Sequence, residues 1–207
     1  MAYLVESRGW QGTVARTVAT THLLDKLAAS YGLNVVETPV GFKYIGQAMR
    51  EQQAFIGGEE SGGISIRGHI PEKDGILASL LFIEMLAKTG KTAAQLLAQI
   101  SAGFGKVFSE RLDLSGSEAA KQEIVAKMAN WQPTTLAGTA VKTISRLDGL
   151  KIILENGSWC LVRSSGTEPV FRIYTEAASP EEKEALQQAV KQALFLEIEE
   201  GKAGWMS

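Results

Sequence analysis

Leu33-Asn34-Val35-Val36-Glu37, closed by Thr38-Pro39, reads as a buried strand, and a short helix follows at about Tyr44 to Glu51. Ala54-Phe55-Ile56 is then a second short strand, running straight into Gly57-Gly58-Glu59-Glu60-Ser61-Gly62-Gly63. This strand–helix–strand succession sets the class of the first part. Working outward, a helix capped at Thr20 or Thr21 runs to about Tyr31, with Leu23, Leu24, Leu27, Ala28 and Tyr31 along one stripe and Gly32 as its stop. Helix-length segments recur at residues 74–88 and 92–102, and the first of these is apolar nearly all round, which predicts a central buried helix. The alternation predicts an α/β domain with a mainly parallel or mixed sheet.

The remainder has a different rhythm. Ser115 with Glu118 predicts a capping box opening a helix to about Asn130, and Gln132-Pro133-Thr134-Thr135 reads as a linker. Strands follow from Val141. Those at residues 151–154 and 159–163 flank Glu155-Asn156-Gly157-Ser158, where Asn-Gly predicts a type I′ hairpin turn. Another strand covers residues 170–176, and Ser179-Pro180-Glu181-Glu182 starts a last helix. The expected division is residues 1–131 as an α/β domain with a mixed sheet, then 132–207 as a small α+β domain with an antiparallel sheet and covering helices.

Composition bounds the partners. The 207 residues are 45% hydrophobic and 21% charged, with a formal net charge of −2. That balance argues against nucleic acid or an anionic membrane as a bulk electrostatic partner, so a bound anion needs a local cluster of donors. Cys160 is the single cysteine, which excludes an intrachain disulfide and a cysteine metal cluster. The N-terminus meets Glu6 too early for a signal peptide, and the most apolar stretch is too short to span a bilayer, so the default location is cytoplasmic.

The sharpest local signal is Arg163-Ser164-Ser165-Gly166-Thr167-Glu168-Pro169 with Arg172. Two guanidinium forks, hydroxyl donors and a glycine that turns N–H groups inward suit a phosphate monoester; a Ser/Gly-rich turn with salt-bridged arginines is the competing reading. The acidic loop at Glu59, Glu60 and Ser61 suits a ligand rich in hydroxyls, and a ligand-free acidic loop is its alternative. His69-Ile70-Pro71-Glu72-Lys73-Asp74-Gly75 precedes the apolar helix. There Lys73 is a phosphate contact or, if burial depresses its pKa, a proton carrier, and Asp74 is a helix cap. Lys43 lies on a strand-to-helix turn, where anions are favoured. No nucleophile, nucleotide-binding glycine motif or Mg²⁺-binding run of aspartates is evident.

In that order, these four segments resemble the α-D-phosphohexomutase family, the phosphoglucomutases and phosphomannomutases. Thr38-Pro39-Val40-Gly41-Phe42-Lys43, Gly58-Glu59-Glu60-Ser61-Gly62 and residues 69–75 resemble signatures of that family's third domain, and Arg163 to Pro169 with Arg172 resembles the phosphate loop of its fourth. The resemblance implies that Glu59 and Ser61 hold sugar hydroxyls and that Lys43 and Lys73 line the cleft. It implies that Arg163, Ser165, Gly166, Thr167 and Arg172 hold the phosphate that is not being transferred. The implied reaction moves a phosphoryl group between C1 and C6 of a hexose phosphate through a phosphoserine, with glucose 1,6-bisphosphate as intermediate and activator and Mg²⁺ as cofactor. The family's serine loop and its Asp-rich metal loop are missing, so the chain reads as the C-terminal half of a mutase. Its partners are then the hexose phosphate and the N-terminal domains of the same protein, and the catalytic serine and Mg²⁺ site lie outside this sequence. A non-catalytic sugar-phosphate-binding protein is the alternative. The chain by itself is expected to form no glucose 6-phosphate from glucose 1-phosphate in a dehydrogenase-coupled assay; measurable conversion contradicts the fragment reading.

Overall fold

The computed structural model of the chain describes residues 1–166 and 169–195. The chain divides into two compact units, Met1–Lys106 and Val107–Ser207. The first contains α1 (Ala2–Arg8), β1 (Thr13–Thr17), α2 (Leu23–Ser30), β2 (Asn34–Thr38), α3 (Phe42–Glu51), β3 (Ala54–Gly58), β4 (Ile64–Ile66), α4 (Gly75–Thr89) and α5 (Ala93–Phe104). Its sheet has the order β2-β1-β3-β4. β1 pairs in parallel with β2 and β3, and β4 returns antiparallel to β3, so the sheet is mixed as expected.

Adjacent residues of β1 point to opposite faces. Val14 packs in a cluster with α1, α2 and the Leu77, Leu81 and Met85 side of α4, whereas Ala15 packs with Phe42, Ile45 and Ala48 of α3. The sheet is thereby covered on both faces. α3 lies very close to β3: a Cβ added at Gly57 would stand 2.3 Å from Ile45 Cγ2. Because β1, β2 and β3 run in the same direction, the loops after Thr17, Thr38 and Gly58 emerge at one edge, the usual ligand-binding edge of a parallel sheet. Buried Arg16 staples that edge. Its guanidinium donates to both carboxylate oxygens of Asp25 at 2.7 and 2.8 Å and to Glu37 at 2.7 Å.

The expected burial of the helix at residues 74–88 is corrected. α4 has no buried residue; Ile76, Leu80 and Ile83 are 75%, 60% and 60% exposed. Only its Leu77, Leu81 and Met85 stripe meets the core, and Glu84, its one carboxylate, accepts from Tyr3 and Arg8 of α1. Apolar composition all round does not bury a helix that has a neighbour on one side alone. Among the described residues no helix is long and apolar enough to cross a membrane.

The second unit contains β5 (Phe108–Ser115), α6 (Glu118–Asn130), β6 (Thr135–Leu136), β7 (Thr139–Ser145), β8 (Leu150–Leu154), β9 (Trp159–Ser164), β10 (Val170–Ala177) and α7 (Pro180–Leu194). The sheet is antiparallel throughout, in the order β5-β10-β9-β8-β7-β6. Ile152, Cys160, Val162, Phe171 and Ile173 form its inner face against Ile124 of α6 and Leu186 and Val190 of α7. Burial pushes the Cys160 thiol up to about 12, so it stays protonated and behaves as a small apolar side chain.

Three local expectations change here. The boundary falls between Lys106 and Val107 rather than at 131/132, because β5 pairs with β10 over its whole length and carries α6 into the second unit. The cap of α6 is Ser117, whose Oγ accepts from the Ala120 N–H at 3.2 Å; Ser115 ends β5. The turn at Asn156-Gly157 is not type I′. Gly157 alone has positive φ (89°), and the Gly157 N–H bonds the Leu154 carbonyl at 3.0 Å, the pattern of a type I turn followed by a left-handed residue. Ser179 does cap α7, accepting from the Glu182 N–H at 3.1 Å with Pro180 in the first turn. Ile152→Ala, at the centre of the second core, is expected to lower stability by about 2–5 kcal/mol; chemical denaturation followed through the buried Trp159 measures it.

Candidate functional site

Three loops meet at the carboxyl edge of the first sheet. After β3 the chain tightens, with the Glu59 N–H bonded to the Gly63 carbonyl and the Gly62 N–H to the Glu59 carbonyl, both at 3.0 Å. This turns the Glu59 side chain inward, where it is only 6% exposed. One of its oxygens accepts from the backbone N–H of Gly41 at 3.0 Å, and the other lies 3.8 Å from Lys73 Nζ. The structure therefore brings together Glu59, Lys73 and the residue that opens α3. Lys43 sits in the first turn of α3, exposed, with its ammonium 4.7 Å from the centre of the Tyr44 ring. Ser61 is exposed at the tip of the loop.

Other side chains fix this arrangement. The buried Thr17 hydroxyl donates to Glu60 Oε2 at 3.0 Å and stands 3.0 Å from the Thr20 hydroxyl. Asp74 accepts from the N–H groups of Ile76 and Leu77 at 2.8 and 3.0 Å, capping α4, and bonds His69 at 3.1 Å. The backbone N–H of Leu77 chiefly, then that of Ile76 and the His69 ring, hold the Asp74 carboxyl below its ordinary value. Lys73 is 57% exposed, so the burial on which a proton-carrying role rests is lacking, and its near charge is Glu59.

In the second unit Arg163 of β9 and Arg172 of β10 are direct cross-strand partners. Both side chains therefore project from the same face at neighbouring positions, where like charges repel. Each has a carboxylate. Arg163 Nε donates to Asp148 Oδ2 at 2.8 Å, and Arg172 Nε lies 3.7 Å from Asp113 Oδ2, with Arg111 on the other oxygen at 2.9 Å. Arg172 Nε is buried and has no hydrogen-bond acceptor among the described residues. The Ser165 N–H bonds the Val170 carbonyl at 2.7 Å, closing the base of the loop, and Gly166 is exposed. Thr167 and Glu168 lie outside the described residues.

Asp113, Asp148 and Gly149 support the two arginines, and the sequence motifs do not include them. Gly149 has φ 92°, and a Cβ there would stand 2.3 Å from the Val162 carbonyl oxygen and 3.0 Å from Arg163 Cγ. Only glycine lets the β7–β8 turn bring Asp148 against Arg163. The Asp-Gly pair is the one signal in the sequence that points to this turn.

Two domains of one family match along the chain: "Phosphoglucomutase/phosphomannomutase, alpha/beta/alpha domain III" over residues 1–103 and "Phosphoglucomutase/phosphomannomutase, C-terminal domain" over residues 111–193. The chain belongs to the phosphoglucomutase/phosphomannomutase family. A phosphoglucomutase/phosphomannomutase of Thermococcus kodakarensis is 36% identical to 92% of this chain, and a phosphoglucomutase of Komagataeibacter xylinus is 31% identical to 84% of it. The solved open form of the Paramecium phosphoglucomutase pp63/parafusin superposes with a TM-score of 0.67 at 28% identity, over 88% of this chain and 37% of that one. The chain spans 39% of the length of the Thermococcus relative and 34% of the Komagataeibacter one. In family terms, it carries domain III and the C-terminal domain.

Two expectations follow from this geometry. Gly149→Ala is expected to destabilise the second unit by about 1–3 kcal/mol, the scale of overpacking, measured by denaturation. The stabilisation from Asp74 is fully present above its ordinary pKa of 3.8 and is lost as pH falls through the lowered folded value. Asp74→Asn, which caps without titrating, removes that acid-sensitive part of the stability–pH profile; an unchanged profile contradicts the assignment.

Proposed function

We propose that this chain is the sugar- and phosphate-binding half of a phosphohexomutase, which in its whole form moves a phosphoryl group between C1 and C6 of a hexose phosphate. The observation that carries the reading is the Arg163–Arg172 pair, cross-strand partners on one face of the sheet, with the buried Arg172 Nε left without an acceptor among the described residues. A phosphate monoester carries about −1.5 to −2 charges near neutral pH and would compete with Asp148 and Asp113 for the two guanidiniums. Arg163 and Arg172, with Ser165, Gly166 and Thr167 on the connecting loop, hold the phosphate that is not transferred. Glu59 and Ser61 accept and donate to sugar hydroxyls, Glu59 being aimed by the Gly41 N–H, and Lys43 and Lys73 attract the anionic substrate to that edge. Fixing the idle phosphate suits phosphoryl transfer, in which positioning and electrostatics dominate.

Among the described residues no group of three or more His, Cys, Asp or Glu could hold a metal ion. In this reading the part of the described residues is binding and orientation. The family's N-terminal portion is the partner that would supply the serine and the Mg²⁺ site. The exposed Ile76, Leu80 and Ile83 stripe of α4 supports a covering partner of that kind. A cytoplasmic location is consistent with the single buried thiol.

Calorimetric titration with glucose 1,6-bisphosphate tests the reading. Arg163→Ala is expected to weaken binding by about 1.5–3 kcal/mol, the scale of a hydrogen bond to a charged group. Equal affinity of the variant and the parent refutes the phosphate assignment.

A further inference from the structure

The first unit has a second concave site at the opposite edge of its sheet. It is a cavity of about 490 Å³ whose lining includes Thr13 and Ala54, the residues that open β1 and β3, whereas the Glu59 loop follows the far end of β3. Its polar wall is Gln11, Arg50, Gln52, Gln53, Arg67 and His69, and no carboxylate lines it. Arg67 is held in place. Its guanidinium carbon lies 5.0 Å from the centre of the Trp10 ring and 5.8 Å from that of Phe55, and Nη2 donates to the Gln11 carbonyl at 3.2 Å. A guanidinium placed by two aromatic rings and one hydrogen bond has less freedom to lose when an oxyanion binds. Arg50, in the last turn of α3, is ion-paired with no carboxylate among the described residues. The backbone around the cavity is left-handed at Gly12, Gly68 and, against its intrinsic preference, Gln53 (φ 52°).

Two local charges oppose an anion here, the Asp74 carboxylate bonded to His69 and the end of α3. The C-terminal end of α3 faces the cavity and carries a partial charge of about −0.5. The Arg50 and Arg67 guanidiniums outweigh these, and the His69 ring is turned to Asp74. The three glutamine amides suit hydroxyl or carbonyl groups next to the anionic one.

We infer that this cavity is a second anion site, taking a small phosphate monoester independently of the Arg163–Arg172 loop. The probe is inorganic phosphate, titrated into the ¹⁵N-labelled chain. The Arg163→Ala background removes the first site, so the outcome does not depend on the proposed function. In that background the amides of Gly12, Gln53 and Gly68 are expected to shift saturably, and Arg50→Glu is expected to raise the midpoint tenfold or more. Arg50→Gln, which removes the charge with little risk to folding at this exposed position, is expected to raise it at least threefold. Absence of shifts at these amides, or a midpoint unchanged in both Arg50 variants, overturns the inference.

Discussion

Two positive charges held side by side on one face of a sheet are the constraint on which the second unit depends. The β9–β10 register makes Arg163 and Arg172 direct partners, and that register is set by the inner face, where Val162, Phe171 and Ile173 must all reach the core. A slip of one residue would bury the arginines and expose the apolar set. Core burial, at about 25 cal/mol per Å² of apolar surface, thus pins a pair that repulsion would otherwise separate. Asp148 and Asp113 offset the repulsion without consuming all the donors, and the donors left over are those the proposed phosphate contact would use.

The first unit solves the opposite problem, a nearly buried carboxylate. Glu59 is stripped of most of its water, and a carboxylate so placed needs hydrogen bonds or a counter-charge. The Gly41 N–H and Lys73 supply both, from the two loops whose spacing in the sequence gives no hint of contact. The same mixed sheet that brings these loops to one edge leaves the Arg50–Arg67 cavity at the other. One scaffold therefore carries the carboxylates of Glu59 and Glu60 at one edge and the guanidiniums of Arg50 and Arg67 at the other.

Much of the fold is legible in the amino-acid sequence. Gly, Pro, Ser and Asp punctuation locates α3, α4, α5 and α7, and the hairpin strands of the second unit stand where their apolar runs and turn residues place them. The departures have physical causes. β5 is an edge strand in which Leu112 and Leu114 alone carry the inward signal among Ser109, Glu110, Arg111 and Asp113, so its pattern is too weak to read and the expected domain boundary falls too late. α4 is apolar enough to read as buried, yet composition does not say how many neighbours a helix has. The motif residues themselves are visible, because loop chemistry is local. Their supports Thr17 and Asp113 are not, and the Asp148-Gly149 pair signals a turn but not its contact with Arg163, because those contacts exist only after the strands have paired.

A crystal structure of the chain soaked with glucose 1,6-bisphosphate tests the central claim most directly. A phosphate group within hydrogen-bond distance of both the Arg163 and Arg172 guanidiniums, with Arg172 Nε donating to it, is the expected result. A phosphate held elsewhere, with Arg172 Nε still lacking an acceptor, would contradict it.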